Sequence, residues 1–220
     1  MKYRETMKTS NFRDWELDGL DSAFGLRQVR ESQVLNSWLA TPYAVTEFES
    51  TFLLRLRKTL ILGVDSWNEV ELENKFISPL IVFVDFDNEQ FAYFLERELR
   101  GVVGDYELFG RVDGMIASGF RNPRQPYFCL NEYKKHLDPT GDPAAQTLVA
   151  MLVAQELNER QRPVYGTYII GRDWFFMVLE GQQYCMSQNY SATKDEIFDI
   201  FRILQGLKQI IIREMTPKVT

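Results

Sequence analysis

The chain is poor in histidine and cysteine, and these shortages exclude several kinds of site. It has one histidine in 220 residues, which leaves almost no room for catalysis by a Ser-His-Asp triad. Its two cysteines, Cys129 and Cys185, stand far apart in the sequence, so neither a disulfide framework nor zinc-ligand spacing is present. A glycine-rich phosphate-binding loop is also missing. Candidate chemistry therefore rests on carboxylate and amine side chains.

Long hydrophobic runs are absent as well. No stretch approaches the roughly 20 apolar residues that cross a bilayer, and the N-terminal residues lack the apolar run of a secretory signal. We therefore expect a cytoplasmic protein without a membrane partner. Because 45% of the residues are apolar and 25% are charged, the composition is that of a globular protein rather than a disordered one.

The sequence also has no excess of positive charge. Its net charge is −6, which counts against a protein that holds long nucleic acid by charge alone. A local basic surface is still compatible with this total, because one part of the chain contains Arg111, Arg121, Arg124, Lys134 and Lys135.

Helices are predicted towards both ends of the chain. Three Ser/Thr-x-x-Glu patterns are typical of capping boxes that begin helices. These are Thr46 with Glu49, Ser66 with Glu69, and Thr193 with Glu196. The last helix would run towards Met215 and bury Ile197, Ile200, Phe201, Leu204, Leu207 and Ile211.

Between these helices the apolar pattern favours strands. Two β-rich runs from Phe91 surround a turn near residues 101–105, and PYFCLNEYK is a further strand. Asp142 and Pro143 begin a helix, after which VYGTYIIG, WFFMVLE and QYCMSQ are strands. The order predicts one α/β domain with a central mixed sheet flanked by helices. We divide it into an N-terminal helical extension (1–65), a core (66–190) and a C-terminal helix (191–220).

Two strands of this core contain the candidate chemistry. Glu132 and Lys134 project to the same side of one strand, because strand side chains alternate. Asp113 lies in the preceding strand, so the two carboxylates can converge beside the lysine. Carboxylates without histidine or cysteine favour a hard cation such as Mg²⁺, with Mn²⁺ as the alternative. Such an ion polarises a phosphoryl group during phosphodiester hydrolysis.

Taken alone, the spacing of these three residues is weak evidence, because exposed strands often carry Glu-x-Lys as a solvated face. Their context is more specific. The apolar run Tyr127–Leu130 leads directly to Glu132, and Asp113 interrupts another apolar run. A carboxylate buried there needs a partner.

Asp113, then Glu132 and Lys134, then a helix with Gln146, resembles the PD-(D/E)xK nuclease superfamily and its restriction-endonuclease-like fold. The segment NEVELENKFISPLI also resembles the helix that opens nuclease domains of type I restriction subunits. The likeness covers roughly residues 66–180.

The resemblance implies a function and a role for each residue. Asp113 and Glu132 would bind Mg²⁺, Lys134 would assist the attacking water, and Glu69 and Gln146 would support them. The expected activity is hydrolysis of phosphodiester bonds in DNA, in restriction, repair or defence against mobile elements. A homodimer or a partner subunit is a further expectation.

Alternatives remain at this stage. The proline of the family motif is replaced by Val112, and the helix glutamate is Glu69, Glu71 or Glu73. Glu69 could serve only as a cap, and Gln146 only in local hydrogen bonds. The chain could also be an inactive nuclease-fold module that binds nucleic acid or protein.

Overall fold

A mixed β-sheet flanked by helices forms the structure, a computed structural model that describes residues 7–135 and 141–215. The strands are β1 (Lys8–Asn11), β2 (Arg27–Gln28), β3 (Phe91–Val103), β4 (Tyr106–Ser118), β5 (Arg124–Lys134), β6 (Val164–Ile170), β7 (Asp173–Glu180), β8 (Gln183–Met186) and β9 (Tyr190–Ser191). The helices are α1 (Leu17–Phe24), α2 (Gln33–Leu39), α3 (Glu47–Gly63), α4 (Glu69–Leu72), α5 (Ser78–Val84), α6 (Pro143–Leu157) and α7 (Ile197–Met215). A 3-10 turn (Phe12–Asp14) follows β1, and a π turn (Glu73–Ile77) joins α4 to α5. The predicted α/β class with a central mixed sheet is confirmed.

The described strands form one nine-stranded sheet in the order β1-β4-β5-β6-β7-β8-β2, with β3 also paired to β4 and β9 to β7. Strands β5 and β6 run parallel, with α6 as the crossover between them, whereas β3, β4 and β5 pair antiparallel. This places β4 and β5 next to each other in the sheet.

The core lies on both faces of the sheet. On one face, α6 and α1 pack against apolar side chains that include Met115 and Leu130. On the other face, α2, α3, α5 and α7 cover residues such as Ile116 and Trp174. Helix α6 is buried along almost its whole length because it is apolar on all sides.

Several local predictions are confirmed. Thr46 and Glu49 form a capping box at the start of α3, and the Asp142 carboxylate accepts hydrogen bonds from Ala144 N and Ala145 N at the start of α6. All six residues predicted for the buried stripe of α7 are buried.

The capping box predicted at Ser66 and Glu69 is wrong. The cap is Asn68, whose side chain accepts from Glu71 N while the Glu71 carboxylate accepts from Asn68 N. The Ser66 hydroxyl instead donates to Gly63 O. The π turn that follows rotates the later residues around the helix, so Val70 is exposed whereas Ile77, seven residues later, is buried.

The capping box predicted at Thr193 and Glu196 is also wrong. Helix α7 begins at Ile197, and the Glu196 carboxylate accepts from Ser191 N at 2.7 Å.

The N-terminal segment contains more than helices. Strand β1 pairs with β4 and strand β2 with β8, so both join the sheet. Within the described residues, no helix has the length and apolar character needed to cross a membrane.

The corrected helix start gives a stability prediction. We expect Asn68→Ala to lower the free energy of unfolding by about 1 kcal/mol, because the Glu71 backbone N–H loses the side-chain oxygen that caps it. Ser66→Ala should cost less than about 0.5 kcal/mol, because it removes one local bond. Urea unfolding of both variants measures this difference, and a larger loss in Ser66→Ala would contradict the assignment.

Candidate active site

The pairing of β4 with β5 brings the two predicted carboxylates together. Gly114 is paired with Asn131, so the next residues outward, Asp113 and Glu132, are neighbours across the strands. Tyr133 N donates a hydrogen bond of 2.6 Å to Asp113 Oδ2. This bond holds the Asp113 carboxylate against the backbone of β5.

Lys134 lies on the same side of β5 as Glu132. Its Nζ donates to Glu132 Oε1 at 2.7 Å and to Tyr133 O at 3.1 Å, and it lies 3.8 Å from Glu69 Oε1. The structure therefore gathers Glu69, Asp113, Glu132 and Lys134 in one place, although they come from a helix and two strands.

The charges of these groups are strongly coupled. Burial raises the pKa of Asp113 from 3.8 to about 7, and repulsion from Glu132 adds to this effect, against the hydrogen bond from Tyr133 N and the attraction of Lys134. Asp113 thus loses its proton close to neutral pH, far above an ordinary aspartate. Two carboxylates held together in a poorly hydrated place resist simultaneous ionisation.

Burial also raises the pKa of Glu132, which is only 5% exposed. The nearby Lys134 and Arg13 oppose this change by attraction. For Lys134, burial lowers the pKa, but attraction to Glu132, Asp113 and Glu69 outweighs it and leaves the pKa raised. Lys134 is therefore an ammonium ion at neutral pH.

The three candidate helix glutamates have different environments. Glu69 approaches Lys134 and is half exposed. Glu71 is occupied by the Asn68 cap and by an ion pair of 2.6 Å with Lys75. Burial raises the pKa of Glu73, with repulsion from Glu96 and Glu69 as smaller causes. Among the three, Glu69 is the one that the structure places against the lysine.

Gln146 is placed less closely. It lies near the start of α6, is 5% exposed, and its Nε2 lies beside Gly141. Among the described residues, no hydrogen bond joins Gln146 to Asp113, Glu132 or Lys134. Helix α6 does pack against β5, so Gln146 belongs to the same face of the sheet without a hydrogen bond to the acids.

Two residues near the site were not predicted. Arg13, in the 3-10 turn after β1, attracts Glu132 and lowers its pKa against the larger effect of burial. Glu96 interrupts β3 with φ at 51°, between residues paired with Gly114 and Val112 of β4, and therefore lies beside Asp113. A left-handed glutamate within a strand is unusual, and irregular strands are frequent next to active sites. Nothing in the local sequence distinguishes either residue from its charged neighbours.

The donor set can be compared with what a metal ion requires. Within residues 7–135 and 141–215, no three His, Cys, Asp or Glu side chains form a ready-made metal cage. Two carboxylates suit Mg²⁺, which is commonly held by one or two carboxylates together with water and substrate phosphate. Burial and, secondly, repulsion from Glu132 raise the pKa of Asp113, and a divalent cation would relieve that repulsion.

Comparisons of this chain with protein-family models and with curated protein sequences find no significant match.

The raised pKa of Asp113 predicts a pH effect on stability. Between pH 4 and pH 7 the folded state binds more protons at Asp113 than the unfolded state, because its folded pKa of about 7 exceeds 3.8. The free energy of unfolding therefore falls as pH rises through this range. The asparagine of Asp113→Asn cannot ionise, so the variant escapes that loss. Its free energy of unfolding, relative to that of the wild-type protein, should therefore be higher at pH 8 than at pH 5 by on the order of 2 kcal/mol.

Urea unfolding at the two pH values, without divalent cations, measures this gain. A difference between the two proteins that does not change with pH would contradict the placement of Asp113.

Proposed function

We propose that this chain is a cytoplasmic Mg²⁺-dependent nuclease that hydrolyses phosphodiester bonds in DNA, in restriction, repair or defence against mobile elements. The observation that carries the proposal is the convergence of Asp113 and Glu132 beside Lys134 at one buried position on adjacent strands. The arrangement has the chemistry expected from the resemblance to PD-(D/E)xK nucleases.

Asp113 and Glu132 are the residues that would hold the ion. Both are carboxylates whose ionisation is opposed by burial, so a cation would favour their charged forms. When bound, Mg²⁺ would polarise a phosphoryl oxygen and offset the charge of the transition state. Tyr133 N keeps Asp113 in place by its 2.6 Å bond, which prepares the site before any ligand arrives.

Lys134 would act as a donor and a positive charge rather than as a base. Its raised pKa keeps it protonated at neutral pH, so the ammonium group can orient the attacking water or neutralise charge on the phosphoryl oxygens. Glu69 Oε1, at 3.8 Å from Nζ, helps to position that ammonium group. Gln146 would act from α6, on the same face of the sheet, as a supporting residue.

A second candidate is a binding module that keeps the nuclease scaffold without its activity. One observation favours it: the Lys134 ammonium group already neutralises Glu132 at 2.7 Å, so the site is partly compensated without a metal ion. The nuclease proposal has stronger support, because Asp113 stays poorly compensated, with a pKa raised to about 7 despite the same lysine.

Cleavage assays test the proposal. Asp113→Asn and Glu132→Gln should each lower the initial rate of DNA cleavage in Mg²⁺ by about a thousandfold or more, because each removes a charged ligand. Lys134→Ala should lower it by about a hundredfold or more through loss of the positive charge. The substrates are single-stranded and double-stranded DNA, with EDTA as the blank.

Glu71→Gln is the matched control. Like Asp113→Asn and Glu132→Gln it removes one carboxylate, but this carboxylate lies on α4 and pairs with Lys75 instead of facing Lys134. Glutamine still caps the helix, so the rate of cleavage should stay close to that of the wild-type protein. Wild-type activity in Asp113→Asn would refute the assignment of the site. Failure of the wild-type protein to cut either DNA would favour the binding module.

A further inference from the structure

A groove with three arginines lies beside the candidate active site. It has a volume of about 460 Å³. Its charged lining residues are Arg13, Arg100, Arg111 and Glu98. We call this the arginine groove. The lining contains three guanidinium groups and one carboxylate, and two further carboxylates, Glu96 and Glu107, pair with Arg111 and Arg100.

The groove is built by the β3–β4 hairpin and the segment after β1. Asn11, the last residue of β1, is paired with Phe109 of β4. The chain then enters the 3-10 turn that contains Arg13. The ring of Phe12 packs against Gly110 so closely that a Cβ at Gly110 would lie 2.4 Å from it. This part of the groove is therefore formed by closely packed residues of β4 and the turn after β1.

The arginines are arranged along the hairpin. Arg100 is paired with Phe109, and its guanidinium carbon lies 5.0 Å from the centre of that ring. Arg111 is paired with Glu98. Side chains directly opposite each other share a face of the sheet, and so do residues two apart on one strand. Arg111 therefore shares a face with Glu98, and Glu98 shares it with Arg100, so both arginines line the same groove.

The groove leads to the carboxylates. Arg13 attracts Glu132, and Arg111 precedes Asp113 by two residues on β4. At about 3.3 Å per residue, Arg111 is roughly 7 Å and Phe109 roughly 13 Å from Asp113 along the strand.

The present partners of these arginines are exchangeable. Arg100 pairs with Glu107 at 3.0 Å and Arg111 with Glu96 at 3.4 Å, and both arginine side chains are more than half exposed. Exposed ion pairs of this kind contribute little to stability. A phosphate that offers two oxygens to a guanidinium group is a competitive partner.

We propose that the arginine groove binds the sugar–phosphate backbone of a nucleic acid on one side of the bond to be cut. The inference rests on the proposed nuclease function for its orientation, since it places the backbone next to Asp113 and Glu132. Binding in the groove uses charge and requires no base contact, so it is insensitive to sequence.

Fluorescence anisotropy with a labelled DNA duplex in EDTA tests the groove without cleavage. The groove variant is the triple substitution Arg13→Ala, Arg100→Ala and Arg111→Ala. We expect the slope of log affinity against log salt concentration to be smaller in magnitude than that of the wild-type protein by roughly 2 to 3. Each lost phosphate contact lowers the magnitude of that slope by about 0.9. The corresponding triple substitution to lysine should restore most of the slope, because charge is retained.

The matched control removes three other exposed cations, by Arg30→Ala, Arg55→Ala and Lys58→Ala. It changes net charge equally, so its slope should differ from wild-type by less than about 1. Thermal unfolding of every variant establishes that each is folded. Equal slopes in the groove and control variants, or no binding by the wild-type protein, would overturn the groove.

Cleavage in Mg²⁺ separates this inference from the proposed function. Cleavage by the wild-type protein with an unchanged slope in the groove variant refutes the groove alone. Groove-dependent binding without cleavage supports the groove as a nucleic-acid site and refutes the nuclease proposal.

Discussion

The antiparallel register of β4 and β5 is the constraint on which the candidate site depends. Met115 is paired with Leu130, and both are fully buried. A shift by one residue would turn each strand's apolar side chains to the wrong face. The register set by these core contacts also places Asp113 beside Glu132 and within 2.6 Å of Tyr133 N. Core packing therefore holds two carboxylates in a position that their mutual repulsion would not select.

Core packing keeps Asp113 and Glu132 close together although their negative charges repel each other, and this is the feature that the proposed function uses. Burial raises the pKa of both Asp113 and Glu132, and Lys134 compensates them only in part. Charged groups kept in unfavourable surroundings are frequent at functional sites. The arginine groove places three guanidinium groups where a polyanion would approach, and two of them are held only by exposed ion pairs that a phosphate can replace. Guanidinium groups outside the site suit a negatively charged substrate, whereas the two acids would accept such a substrate only with a cation between them and it.

Local patterns predicted the parts of the structure that depend on nearby residues. Alternation along β5 placed Glu132 and Lys134 on one side, and the Asp142–Pro143 start of α6 follows from capping chemistry. Strands β1 and β2, with four and two residues, are too short to show a period, and their pairing depends on distant partners. Asn68 replaced Ser66 as the cap because both residues can cap, and only tertiary packing sets where the helix begins. Arg13 and the left-handed Glu96 reach the site through β1 pairing and a strand irregularity, which no local pattern reveals.

Calorimetric titration of the protein with Mg²⁺ and Mn²⁺ tests the central claim most directly, because it asks whether Asp113 and Glu132 share one divalent cation. We expect the wild-type protein to bind one ion and Glu132→Ala to lose that binding, since the ion loses one of its two carboxylate ligands and no substrate phosphate is present to replace it. Equal binding by both proteins would place the ion elsewhere. An absence of binding by the wild-type protein would contradict the claim that these buried carboxylates form a cation site.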